Sequence, residues 1–209
     1  MHLFTKNRPI PRRQAICLIG GGTFALTAQG AMAASGIGTV VAINGPGQVG
    51  QPDQLAQMLA GMALFDGDLA VTGSEGRAHL GLGRNTEIHL GPVSELRIDR
   101  FIADIGGAIY LNGAIVFDRD DTAPPIDLEF QTEFGRIAVR GTRFFAGPSE
   151  NAFAVFVERG RVTLSAGGVI KALNPGQGAD LRGRDVAPGP VGNWSQSRID
   201  DALAFVLAG

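Results

Sequence analysis

Three short runs of alternating apolar and polar residues begin nine residues apart: Arg77–Leu82, Thr86–Leu90 and Glu95–Asp99. Gly, Pro or Asn separates each from the next. A period of two sends every second side chain to one face, so each run is a half-buried strand. The short, turn-rich joins leave no space for helices between them. A chain written this way folds as an all-β domain of many short strands. Even spacing of this kind fits a β-solenoid or a sandwich and does not separate the two.

Other runs extend the pattern. Gly38–Ile43 is β-branched and stops at Asn44-Gly45-Pro46-Gly47. Gly106–Phe117, Ile126–Phe130, Arg136–Phe145, Val169–Leu173 and Gly178–Leu181 also read as strands, and Asp118–Pro125 reads as a charged, proline-containing loop. Ala152–Ser165 is expected to be a hairpin turning at Glu158-Arg159-Gly160, with Gly160 supplying the positive φ. Two stretches have helical spacing. Asp53 is placed to cap a segment carrying Leu55, Met58, Leu59 and Met62. Ser197 and Asp200 resemble a capping box ahead of an Ile199, Leu203, Val206 stripe. That stripe is expected to dock on the sheet, with a partner-binding helix as the alternative. Residues 182–209 are thus a Pro/Gly-rich linker and a short amphipathic helix.

Residues 1–33 read as an export signal. Lys6, Arg8, Arg12 and Arg13 precede an apolar run from Ala15, and Ala31-Met32-Ala33 is a small-x-small cleavage site. Arg12-Arg13 resembles a twin-arginine leader, and the general secretory route fits as well. The expected location is the periplasm, with an uncleaved inner-membrane anchor as the alternative and no stable membrane span after cleavage. Removing the leader also removes Cys17, the only cysteine, so no disulfide framework or thiolate site is expected in the mature chain. Of the 18 basic residues 14 then remain against 20 acidic ones, a net charge of about −6 that disfavours nucleic acid.

The order of blocks resembles the periplasmic FecR domain. The first block is Leu59-x-x-Met62-x-Leu64-x-x-Gly67-Asp68-x-x-x-Thr72-Gly73-x-x-Gly76. It is followed by the alternating stretch from Thr86 to Leu96. The strongest block is Thr132-x-x-Gly135-x-Ile137-Ala138-Val139-Arg140-Gly141-Thr142-x-Phe144, after which come Val155-x-Val157-x-x-Gly160-x-Val162 and Leu173-x-Pro175-Gly176. The resemblance spans residues 37–181. It implies a binding, sensing or scaffolding role linked to iron-uptake-type signalling, with an envelope protein as partner. Family members that regulate iron uptake also carry a cytoplasmic sigma-factor-binding domain. Only about 13 residues precede the apolar run here, so this chain is expected to lack that domain.

The chemistry-bearing residues are few, and neither a catalytic group, a resident metal nor a cofactor is expected. His79 and His89 lie on neighbouring strands where they could face each other, with Glu87 close by. Two histidines and a carboxylate suit a metal, but exposed strand histidines are more often plain surface residues. Asp118, Asp120 and Asp121 offer oxygen ligands without the glycine and distal bidentate acid of a calcium loop. Both groups are weak candidates for a contact surface. Gly67, Asp68, Thr72, Gly73, Thr132, Gly135, Arg140, Gly141 and Thr142 are read as structural, with Asp68 capping a turn and Arg140 internally paired. No strand-to-helix elbow holds a nucleophile beside a base. The leading expectation is a non-enzymatic periplasmic protein. The alternative is a small-ligand-binding or metal-dependent hydrolytic one.

Overall fold

The computed structural model describes residues 36–208, so the leader reading lies outside the described residues. Strands β1 to β16 form one curled sheet, and a helix, α1 (Gln196–Leu207), closes the chain. The chain passes repeatedly between two arms of the sheet. One arm holds β1 (Gly38–Asn44), β4 (Ala63–Leu64), β6 (Arg77–Leu82), β7 (Thr86–Leu90) and β10 (Ile115–Arg119). The other holds β2 (Gly47–Gly50), β3 (Ala56–Gln57), β5 (Leu69–Thr72), β8 (Glu95–Ile102), β9 (Gly106–Asn112) and β11 (Asp127–Thr132).

Two 15-residue strands, β12 (Gly135–Ser149) and β13 (Ala152–Ala166), join the arms. The first half of β12 pairs with β11 and its second half with β10. On the far side of β13 run β14 (Val169–Leu173) and β15 (Gln177–Leu181), and β16 (Gly192–Asn193) pairs with β15. Neighbours are antiparallel except β9 and β11. The apolar alternation of both arms points inward. Leu80, Leu82, Ile88 and Leu90 of one arm meet Leu96, Ile98, Ile109 and Leu111 of the other in one core. Phe117, Phe130 and Phe144 tie the arms together, their ring centroids 5.4–5.5 Å apart.

The expected hairpin within Ala152–Ser165 is corrected. β13 runs unbroken through Gly160, and the reversal lies at Glu150-Asn151, both with positive φ (49° and 65°), between the paired Ser149 and Ala152. Both central residues at positive φ match the twist of a two-residue hairpin. Gly160 instead serves a bend where the β12–β13 register shifts. The helix expected after Asp53 is also absent. The segment holds β3 and a turn at Gly61 (φ 87°), Met58 alone is fully buried, and its N–H donates to the Gly47 carbonyl.

At the C-terminus the helix cap is Ser195, not Ser197; its Oγ accepts from the Arg198 N–H. Ala202 and Val206 bury against Ala114, Val116, Phe145 and Phe156, where β10 meets β12 and β13, with Ile199 and Leu203 at the margin. Trp194 stacks on Phe156, and the Arg198 guanidinium lies 3.8 Å from the Trp194 ring centroid. The stripe therefore docks on the sheet. Among the described residues no helix is long and apolar enough to cross a membrane.

Candidate functional site

The outward face of β6 and β7 carries the two histidines. His79 and His89 are a directly opposed cross-strand pair, and their rings stack at 4.2 Å with planes 20° apart. Glu87 precedes His89 by two residues and so shares its face. Its partner on β6 is Gly81, which has no side chain, and the carboxylate reaches past that bare position toward His79; its partner on β10 is Asp118. Glu87 Oε2 lies 3.3 Å from His79 Nε2 and 3.9 Å from His89 Nε2. The shorter contact is misaligned for an N–H···O bond, which leaves the buried His79 Nε2 without a hydrogen-bond partner among the described residues. Burial, then the neighbouring His79, lowers the His89 pKa, partly opposed by Glu87.

The three aspartates do not converge. Asp118 is not in the loop: it belongs to β10, which runs to Arg119, and the loop starts only at Asp120. Its Oδ2 accepts from Arg143 at 2.5 Å and its Oδ1 from Arg159 at 2.9 Å. Asp120 accepts from the Thr122 N–H and hydroxyl at 2.7 and 2.6 Å, and Asp121 pairs with Arg159. Protein donors already occupy these carboxylates, which leaves little for a calcium ion. Among the described residues, the one triple of His, Cys, Asp or Glu ligand atoms lying within 4.8 Å of one another is His79, Glu87 and His89.

The motif residues hold turns and bends. Gly67 has φ 88°, and the buried Asp68 carboxylate accepts from the Phe65 N–H (2.8 Å) and from Gln51 (2.7 Å). The Thr72 hydroxyl donates to the Gly91 carbonyl and accepts from the Ser94 N–H, locking β5 to the β7–β8 join. The N–H of Gly73 donates to the Pro46 carbonyl. The Thr132 hydroxyl closes a turn by donating to the Gly135 carbonyl and accepting from the N–H groups of Phe134 and Gly135. Gly141 has φ 61° at the bend, and Thr142 is fully buried beside it.

Arg140 departs from expectation: it is exposed, makes no ion pair among the described residues, and sits opposite Arg161. Residues alternate in β12, and its apolar neighbours Val139 and Ile137 point inward while Arg140 points out.

Two features escaped the sequence reading. Arg119 is buried and binds the Pro124 carbonyl, the Thr86 hydroxyl and Asp104, fastening two loops and the start of β7 to one side chain. Its place between acids made it look like loop. The second is the edge position of β14, which among the described residues pairs with β13 alone. It carries Ile170, which is 71% exposed, at an open sheet edge. Its Val-Ile-x-Ala-Leu composition was readable, but the missing neighbour was not.

Residues 68–163 match the FecR protein family. Of the nine residues from Gly67 to Thr142 read as structural, all except Gly67 fall inside that match. Two crystal structures of a candidate anti-sigma factor from Parabacteroides distasonis ATCC 8503 share the fold. Their TM-scores are 0.53 and 0.52 at 16% and 17% identity, over 63% of this chain. The matched region is 62% of the length of those chains. No curated protein matches the sequence.

Proposed function

With a FecR domain at residues 68–163 as the premise, we propose that the protein is a non-enzymatic recognition module in envelope signalling, acting in the periplasm on a protein partner. The observation that carries the reading is the open edge of β14. An unpaired strand presents backbone donors and acceptors that accept an added strand, and its alternate side chains give selectivity. The Gly167-Gly168 loop is a two-residue hairpin with both φ positive (54° and 72°), joining the paired Ala166 and Val169. In such a hairpin the flanking pair exchanges both backbone bonds, so the next pair, Ser165 and Ile170, turns its polar groups away from each other. The Ile170 N–H therefore faces the open edge. The occupant that fits is an extended, apolar-containing segment of an envelope protein.

The test is capture of crosslinked partners by the tagged protein and by its Ile170→Pro variant. Proline removes only the outward donor and leaves the β13–β14 ladder in place. A specific partner held by the parent and lost by the folded variant supports strand addition. Equal recovery by both rules out this edge. The small-ligand alternative is favoured by one other feature, a cleft of about 840 Å³ lined by Val93, Phe134, Phe153 and Phe205. Failure of both proteins to retain any specific partner shifts the reading to that cleft.

A further inference from the structure

The His79–Glu87–His89 cluster lies outside the strand-edge reading and does not depend on it. We propose that these three side chains bind one divalent transition-metal ion of borderline softness, Zn²⁺ or Cu²⁺, on the outer face of β6 and β7. Two imidazoles and one carboxylate form a donor set that such ions prefer and that Mg²⁺ and Ca²⁺ do not.

Three observations carry this. The register sets the imidazoles directly opposite each other on adjacent strands, so the rigid sheet places both without any loop. Gly81 leaves the diagonal open for Glu87, which contacts both Nε2 atoms from one oxygen. The buried His79 Nε2 has no hydrogen-bond partner among the described residues, an arrangement that costs free energy unless something else takes it up.

Beside the rings a cavity of about 170 Å³ is lined by Ala42, Asn44, Arg77, His79, His89 and Leu207. It gives an ion a route in. The side chain of Arg77 is drawn to the helix end, where its Nε donates to the Phe205 carbonyl. Arg143, the other nearby cation, is neutralised by Asp118 and Glu158.

The rings are nearly parallel, so their lone pairs run side by side. Ligand nitrogens about 2.0–2.1 Å from zinc must converge, and rotation about χ2, a soft torsion, brings them together. Glu87 is half exposed, which leaves the remaining coordination positions to water.

Zn²⁺ alone is titrated into the purified full-length chain, free of any histidine tag, by calorimetry, with Mg²⁺ as the control ion. The expected result is one equivalent of Zn²⁺ and no Mg²⁺ binding. His79→Asn and His89→Asn each weaken the affinity by at least the roughly tenfold that loss of even an outer-shell partner costs. Glu87→Gln weakens it less. All three side chains face outward, and the melting transition of each variant checks that the fold is kept. A second readout needs no variant: the ring ¹⁵N resonances of His79 and His89 shift together on Zn²⁺ addition. Absence of saturable Zn²⁺ binding overturns the proposal. So does stoichiometric binding that the double His79→Asn/His89→Asn variant retains, or that leaves both ring resonances unmoved.

Discussion

Gly160 in β13 stands against Gly141 in β12. A Cβ on Gly160 would lie 2.4 Å from the Gly141 carbonyl oxygen and 2.7 Å from the Thr142 Cγ2. Both glycines have left-handed torsions, φ 83° and 61°. This contact is where the two long strands bend, and the bend lets β12 serve both arms of the sheet. Gly160→Ala adds a left-handed torsion penalty to a backbone clash, and it is expected to destabilise the fold by roughly 2–4 kcal/mol. Gly176 supplies the control. It has the same φ of 83° but nothing within 4 Å of its Cβ position, so Gly176→Ala should cost only about 1–2 kcal/mol. Urea unfolding of the two variants separates clash from torsion. Equal losses would mean that the close approach of β12 and β13 is not what makes Gly160 necessary.

Arg119 gives the second prediction. Its guanidinium satisfies the Thr86 hydroxyl, the Pro124 carbonyl and Asp104 from a side chain only 2% exposed. Arg119→Met keeps the apolar stem and strands these partners. The cost is about 2–3 kcal/mol, below that of a fully buried pair because Asp104 is open to water. Amide exchange should quicken in residues 120–126 and around Asp104 first, since the arginine is their shared anchor. Loosening confined to β10 itself would show that those loops are held by other means.

How far such features were readable follows from the range of the interactions involved. β6, β7 and β14 were legible to the residue because alternation and bounding turns are local. The mutual facing of His79 and His89 was legible for the same reason: adjacent strands of known length fix the register. The reach of Glu87 was not, because it depends on Gly81 standing opposite. Asp118 was assigned to a loop because two further acids follow it; only the β10–β12 register brings Arg143 to it. Gly160 was read as a turn because a positive-φ glycine serves a hairpin and a bulge equally. Met58 and Met62 gave a helical spacing that tertiary packing overrides, one methionine burying in the core while Gly61 turns the chain.

Thr142 and Arg140 flank Gly141 at the bend, and substitution at neither is expected to weaken the fold. The Thr142 hydroxyl is buried and has no hydrogen-bond partner among the described residues, while its methyl is packed. Thr142→Val keeps the shape and removes an unpaired polar atom, which should stabilise by about 1 kcal/mol. Arg140 is exposed and makes no ion pair among the described residues, so Arg140→Ala should change stability by less than about 0.5 kcal/mol. Thermal melting measures both. Destabilisation by Thr142→Val would reveal a partner for the hydroxyl, and a large loss with Arg140→Ala would restore a folding role for that side chain.

Asp120 sets a pH dependence whose sign follows from its bonds. The Thr122 hydroxyl and then the Thr122 N–H hold its carboxyl below the ordinary Asp range, since both donate to the charged form. A group with a depressed folded pKa adds stability that is present above its unfolded value, about 3.9, and is lost as the pH falls through the lower folded value. The gain is small because the group is fully exposed. The carboxyl resonance of Asp120, followed by NMR from neutral to acid pH, should titrate below that of an unperturbed aspartate. Thr122→Val deletes the hydroxyl and keeps the backbone donor, so the midpoint should rise only part of the way. An unchanged midpoint would assign the shift to the retained Thr122 N–H and the charges of Arg159 and Arg119, and Arg159→Gln would then test the charges.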